Sequence, residues 1–304
     1  MNNQHAGAVG VIGLGAMGFG MASSLRRAGY NVHVFDVRPE VAQRFAAGGG
    51  TVCASPAEIG AQCDIVVSVV VNAAQTESVL FGDNGAAAAM KPGSLFIMCS
   101  TVDPNWSVAL DARLAERHIL YLDAPISGGA AKAASAQMTM MTAGTQAAYE
   151  KAGGTLDAMA AKVYKLGDKA GAGSKVKIIN QLLAGVHIAV AAEAMALGLR
   201  EGVDPAALYE VITNSAGNSW MFENRMAHVL AGDYTPLSAV DIFVKDLGLV
   251  LDMARATKFP LPLSATAHQM FMQASSAGFG GLDDSAVIKT FPGITLPAGK
   301  TDAA

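Results

Sequence analysis

The sequence predicts an α/β protein in two parts, an N-terminal doubly wound domain on a parallel sheet followed by an all-helical C-terminal domain. Two observations carry this expectation. In the first half, short Val- and Ile-rich runs bounded by Gly, Asp or Pro alternate with stretches of helical length. Beyond Gly167 the strand-like runs stop, and helical patterns follow one another to about Lys289. Strands alternating with helices imply βαβ units, whose crossovers cover both faces of a parallel sheet.

Taken in order, "AVGVIG", "NVHVFD", "DIVVSVVV", "SLFIMCS" and "ILYLDAP" read as buried strands, with helices expected over residues 16–28 and 104–117. "QMTMMTAG" and "KVYKLG" are expected to extend the same sheet. In the second half, "EGVDPAALYEVITNSA" predicts a helix capped by Asp204 with Pro205 at its first position. "GAGSKVKIINQ" predicts the start of a long apolar helix, with Ser174 as N-cap and Lys177 as the third helical residue. The expected division is residues 1–167, then 168–292, then a mobile tail over 293–304, where "GITLPAGKTDAA" has no periodicity.

Composition narrows the function. With 304 residues, 52% of them hydrophobic and 15% charged, the chain has ample material for buried cores. A formal charge of −4 gives no reason to expect nucleic acid as a partner, because phosphate binding needs clustered Lys and Arg. Cys53, Cys63 and Cys99 have no metal-type spacing and leave an odd one out, so a reducing cytoplasm and a metal-free site are expected. No basic segment precedes an apolar one at the N-terminus, so no export signal is expected. Residues 178–199 are long enough to span a bilayer, but Asn180, Gln181, His187 and Glu193 are costly in hydrocarbon. The expectation is therefore the central helix of a protein without a membrane partner. A helix this apolar also predicts a homodimer or homotetramer.

The first chemical motif is "GLGAMG", residues 13–18, between the first strand and the first helix. Gly13, Gly15 and Gly18 make the pattern GxGxxG. It allows a tight turn and close approach of the backbone at Leu14, Ala16 and Met17 to a pyrophosphate at the helix N-terminus. The second strand ends at Asp36, whose carboxylate suits ribose hydroxyls and repels the extra phosphate of NADP, so NAD is the expected cofactor. Arg38, two residues on, is expected either against the adenine or softening that repulsion.

With "DAPISGGAAKA", "GAGSKVKIINQ" and "FVKDLGL" following "GLGAMG" in that order, the chain resembles the β-hydroxyacid dehydrogenase family from Val9 to about Leu296. "VVVNAAQTESVLF" and "KIINQLLAGVHIA" resemble most the members that oxidise C2 of a four-carbon sugar acid, L-threonate. Others act on 3-hydroxyisobutyrate or reduce tartronate semialdehyde. The resemblance implies that Lys177 is the general base and that Ser127, Gly128, Gly129 and Gln181 hold the substrate. Asn180 and His187 are neighbouring candidates. It also implies that Val70, Val71, Asn72, Thr101 and Lys245 lie by the cofactor, that Asp246 lies against the active-site wall, and that Asp283 matches an acidic position of the closing segment.

The residues themselves fit these roles. Glycines after a strand end leave N–H groups able to face an anion, and Ser127 adds a hydroxyl. Lys177 and Gln181 are one helical turn apart on one face. A helix N-terminus disfavours a protonated lysine. Gln181 departs from the family's usual Asn by one methylene. Lys175 reads as a surface lysine, and His187 is as readily a hydrogen-bonded core histidine as a ligand contact.

Ser174 and Lys177 also spell S-x-x-K, but the S-D-N and K-T-G companions of serine acyl-enzymes are missing. "GDKAGAGSK" lacks the lysine spacing of a phosphate loop. A non-catalytic NAD-binding sensor or scaffold remains open on fold alone. The expected reaction is hydride transfer from a small hydroxy acid to NAD, in a cleft between the two domains.

Overall fold

The structure is a computed structural model and describes residues 7–298. The chain divides into two compact units, Met1–Lys177 and Ile178–Ala304.

In the first unit six strands form one parallel sheet: β1 (Ala8–Ile12), β2 (Asn31–Phe35), β3 (Thr51–Val52), β4 (Ile65–Ser68), β5 (Leu95–Met98) and β6 (Leu120–Asp123). Their order is β3-β2-β1-β4-β5-β6. The crossovers carry α1 (Gly18–Arg27), α2 (Pro39–Ala46), α3 (Pro56–Gln62), α4 (Ala73–Phe81) and α5 (Pro104–Ala115). Alternate residues enter different cores. Val9, Val11, Val67, Leu95, Ile97 and Leu122 pack on one face of the sheet, and Ile12, Val66, Phe96, Met98 and Tyr121 on the other. This is the two-sided burial expected of near-continuous apolar strands.

The two late strand-like runs do not extend this sheet. β7 (Ile126–Ser127), β8 (Met138–Thr142) and β9 (Ala160–Lys165) form a second sheet, with α6 (Gly129–Ala134), α7 (Gln146–Ala152) and α8 (Thr155–Met159) in the intervening chain. A single antiparallel bridge, Asp123 to Ala143, links the end of β6 to the end of β8. After Pro125, which has no N–H to donate, the chain continues as β7, which pairs with β8 and not with β6. β3 and β7 hold two residues each, too short for periodicity to reveal.

The second unit is built on α9 (Ala172–Arg200), whose first six residues belong to the first unit, with α10 (Pro205–Thr213), α11 (Trp220–Ala231), α12 (Val240–Thr257) and α13 (Pro262–Ala274). Asp204 caps α10 as expected, accepting from the Ala207 N–H at 2.8 Å. One core joins Ile178, Ile188 and Met195 of α9 to Phe222, Phe243, Leu247 and Phe271. The helices approach closely at Gly185, where a Cβ would stand 2.9 Å from the Leu247 side chain. Buried Arg225 pairs with buried Asp284, whose carboxyl desolvation pushes up to about 6 even against the guanidinium.

Of the expected tail, Ile294 and Leu296 pack against this second core, and residues 299–304 lie outside the described residues. The start of the N-terminal stretch, residues 1–6, lies outside them as well.

Candidate active site

The glycine-rich loop follows β1, and Val69–Val71 follow β4. In the strand order these are the neighbours between which the chain reverses direction, where open α/β sheets bind ligands. Each glycine is required for a different reason. Gly13 has φ +92°, and a Cβ there would stand 2.7 Å from the Val69 carbonyl oxygen; one at Gly18 would lie in contact with the Gly13 carbonyl. Gly15 has no protein atom within 4 Å of where a Cβ would be, and it lines two adjoining pockets.

The first pocket, about 410 Å³, is lined by Gly13, Gly15, Asp36, Arg38, Val70 and Val71 among others. The second, about 450 Å³, touches Leu14, Gly15, Ala16 and Arg38 and adds Arg44. Met17 sits at the N-cap of α1 without a side-chain cap, so its helix end depends on backbone groups alone.

Asp36 ties this site together. Its Oδ2 accepts the Leu14 N–H at 2.7 Å, and its Oδ1 accepts the Arg38 N–H at 2.9 Å and Arg38 Nε at 3.2 Å. Burial alone would raise its pKa, but the hydrogen bonds from Arg38 and Leu14 and the Arg38 charge leave it below the ordinary value. The carboxylate is therefore ionised where ribose hydroxyls would meet it. The residues fit a dinucleotide: a backbone cradle that a Cβ would fill, and an anchored anion at the end of β2.

Asp36→Ala removes the repulsion toward a 2′-phosphate and frees Arg38. The NAD-over-NADP ratio of kcat/KM is expected to fall about ten- to a hundredfold, the scale of one or two charged hydrogen bonds. An unchanged ratio removes Asp36 from cofactor selection.

Asn72 has a local role. Its Oδ1 caps α4 by accepting the Gln75 N–H at 2.8 Å, while Gln75 Oε1 accepts the Val71 N–H at 2.8 Å and fixes the loop after β4. Thr101 follows β5, next to Ser100, whose hydroxyl donates to the Val70 carbonyl at 2.7 Å. Val70 and Thr101 are thereby held on neighbouring loops.

The Ser-Gly-Gly turn ends β7 and opens α6. Ser127 pairs with Thr139 of β8, and Gly128 and Gly129 have φ of +140° and +82°. A Cβ at Gly128 would press on Lys132 and Met138, whereas Gly129 has open space around it. All three are partly exposed, as groups that meet a ligand must be.

The entry to α9 differs from the expectation. The helix starts at Ala172, so Ser174 is its third residue and not its cap. The cap is Asp123 at the end of β6, a residue to which the sequence alone assigns no role. Its Oδ2 accepts the N–H groups of Gly171 and Ser174 at 2.9 Å each, and its Oδ1 accepts the Ser174 hydroxyl at 2.6 Å. Burial raises the Asp123 pKa, with the bonds from Ser174 and Gly171 opposing. Gly173 completes the clamp, since a Cβ there would stand 2.4 Å from the Met141 carbonyl oxygen. No local pattern marks this carboxylate as a cap, because its partner lies 51 residues away in the chain.

Lys177 consequently lies in the second turn of α9 and not the first. The helix-end field, which fades within one turn, acts on it less than the sequence suggested. The side chain is 7% exposed, a rare placement for lysine that favours a specific role over a surface one. Lys175 is exposed, as expected.

Gln181 is 8% exposed and donates from Nε2 to Asp246 Oδ2 at 2.6 Å, while Asn180 Nδ2 donates to Gln181 Oε1 at 3.0 Å. Lys245 Nζ lies 2.7 Å from Asp246 Oδ1, an ion pair between adjacent residues of α12 that the sequence gave no reason to expect. His187 is partly buried on the Asn180 side of α9, two turns on. Asp283 is structural: its carboxylate accepts from the N–H groups of Leu237 and Ser285 and from the Ser285 hydroxyl. Among the described residues no group of three or more His, Cys, Asp or Glu could hold a metal ion.

A doubly wound sheet with a glycine-rich loop and an anchored acid on its second strand defines a dinucleotide-binding protein. Residues 8–167 match the model of the NAD-binding domain of 6-phosphogluconate dehydrogenase, and residues 171–291 that of the NAD-binding domain of NADP-dependent 3-hydroxyisobutyrate dehydrogenase. The chain is 73% identical to L-threonate dehydrogenase of Cupriavidus necator, over 95% of this chain and 97% of that one. It is 52% identical to L-threonate dehydrogenase of Escherichia coli K12, over 96% and 97% of the two chains. The crystal structure of 3-hydroxyisobutyrate dehydrogenase from Salmonella typhimurium superposes with a TM-score of 0.90 at 53% identity, covering 93% of this chain and 99% of that one.

The chain belongs to the β-hydroxyacid dehydrogenase family, and it is an NAD-dependent dehydrogenase of a hydroxy acid.

Proposed function

We propose that the protein oxidises the C2 hydroxyl of L-threonate to the corresponding 2-oxo acid. The observation that carries this reading is a buried lysine, Lys177, one turn before a buried amide, Gln181, on a helix clamped by a carboxylate from the strand that leads into Ser127, Gly128 and Gly129. The names of the relatives above support the four-carbon acid as substrate.

NAD⁺ held on the glycine-rich loop and Asp36 supplies the hydride acceptor. The Ser127 hydroxyl and the N–H groups of Gly128 and Gly129 hold the substrate carboxylate, which suits an anion because the backbone donors need no reorganisation. Gln181 fixes a neighbouring oxygen. Lys177 Nζ accepts the C2 hydroxyl proton as hydride leaves the same carbon; in reduction it returns that proton to the forming alkoxide. On the family resemblance we assign Asn180 and His187 to substrate binding and Lys245 to the cofactor.

The test is NADH formation with NAD⁺ and a panel of L-threonate, D-threonate, D-erythronate, 3-hydroxyisobutyrate and D-glycerate. L-threonate is expected to lead by more than tenfold in kcat/KM. A lead by 3-hydroxyisobutyrate or D-glycerate overturns the substrate while leaving the family intact.

The working form we propose is a homodimer or homotetramer. Val176, Ile179, Leu183, Val190 and Leu197 are 40–61% exposed and fall on one stripe of α9, roughly opposite Lys177 and Gln181 at about 100° per residue. A stripe of this length needs cover, and a second copy offers the matching surface. Leu183→Glu with Val190→Glu is expected to shift the protein toward monomer in light scattering; an unchanged mass assigns the stripe elsewhere. Three free, buried thiols support a reducing cytoplasm as the setting.

A further inference from the structure

We infer that Asp246 is a positioning residue that sets the orientation of the Gln181 amide, and through it how tightly the hydroxy acid is held. The inference rests on Gln181 binding the acid.

An amide can present either its oxygen or its nitrogen to a neighbour, and the two arrangements are close in shape. A carboxylate removes the ambiguity, because it accepts and never donates. Asp246 Oδ2 lies 2.6 Å from Gln181 Nε2, so the NH₂ end faces α12 and the oxygen faces away, where Asn180 Nδ2 donates to it at 3.0 Å. The bond is charge-assisted and short. Asp246 is 2% exposed, and Lys245 Nζ at 2.7 Å balances its charge from the same helix. The side chain therefore cannot turn over without breaking a buried charged contact.

The helices are spaced for this pair. One turn beyond Gln181, Gly185 brings α9 against Leu247, the residue after Asp246, so that a Cβ would stand 2.9 Å from that leucine. At this spacing Gln181 reaches Oδ2, whereas asparagine falls one methylene short. The chain lengths at 181 and 246 are thus matched, and the match can be moved from one side to the other.

Two routes test the role. Asp246→Asn keeps the shape but lets the amide adopt either orientation; KM for the acid is expected to rise about tenfold with kcat changed less than threefold. Gln181→Asn is expected to raise KM similarly, and adding Asp246→Glu returns the methylene from the other side and recovers at least fivefold of that loss. NAD binding measured in parallel separates any effect that runs through Lys245.

An unchanged KM in Asp246→Asn overturns the inference, as do effects that merely multiply in the double variant. Coupling seen in Tm but not in KM also overturns it, since that pattern belongs to a packing contact. The assays use whichever acid leads the panel above, so a wrong substrate defeats that reading and leaves this test standing.

Discussion

Lys177→Ala is expected to lower kcat by roughly two to four orders of magnitude, the range for a lost general base, while the affinity for NAD changes less than about threefold. The separation follows from where the groups lie. The cofactor cradle consists of the loop after β1, Asp36 and the loop after β4, tied by the bonds from the Leu14 and Arg38 N–H groups to Asp36 and from the Val71 N–H to Gln75. Lys177→Arg sharpens the result. It keeps the positive charge and the stem but cannot give up a proton, so it should be as inactive as alanine if Lys177 acts as base. Activity within tenfold of wild type in Lys177→Arg would assign the residue an electrostatic role. Loss of NAD binding in Lys177→Ala, read by quenching of protein fluorescence, would refute the base assignment.

Asp123→Asn should produce the largest loss of stability together with a loss of rate. The carboxylate receives three hydrogen bonds at 2.6–2.9 Å, two of them from N–H groups at the start of α9 that have no intrahelical partner. Asparagine offers one oxygen, and its NH₂ faces at least one of those donors. Losing one or two bonds to a buried charged group costs about 2–4 kcal/mol, which lowers Tm by roughly 5–15 °C for units of this size. Because Lys177 is one turn beyond Ser174 on the same helix, kcat is expected to fall at temperatures where the variant remains folded. Ser174→Ala removes a single bond and should cost about 1 kcal/mol. Equal effects of the two substitutions would mean that the Asp123 carboxylate is not the cap of α9.

The two clamps share a design. Asp36 ties the glycine-rich loop to the end of β2, and Asp123 ties the start of α9 to the end of β6. Both acids terminate parallel strands and accept backbone N–H groups from the segment that carries the chemistry. A carboxylate in that position also fixes a loop that faces a ligand, which a side chain in solvent could not do at comparable precision. The third acid, Asp246, repeats the arrangement on a side chain in place of a backbone.

The sequence by itself determined the doubly wound sheet, the change to helices after Gly167, the glycine-rich loop with Asp36, the Ser-Gly-Gly turn and the pairing of Lys177 with Gln181. These are local properties: two-sided burial imposes apolar runs, positive φ selects glycine, and helical spacing puts residues four apart on one face. The tertiary structure alone decided the rest. Ser174 resembled a cap because serine before an apolar run usually is one, but a carboxylate from β6 accepts those N–H groups and lets the helix begin three residues earlier. The strands at 138–142 and 160–165 carry the same alternation whichever sheet they join, and pairing with β7 chose the second. Adjacent helical residues such as Lys245 and Asp246 do not face each other by spacing alone, and the approach of α12 to Gly185 is what buries the acid against Gln181. In each case the deciding partner is distant in the chain, and the free energy of burying a polar group with its partner is a property of the folded neighbourhood that no local pattern records.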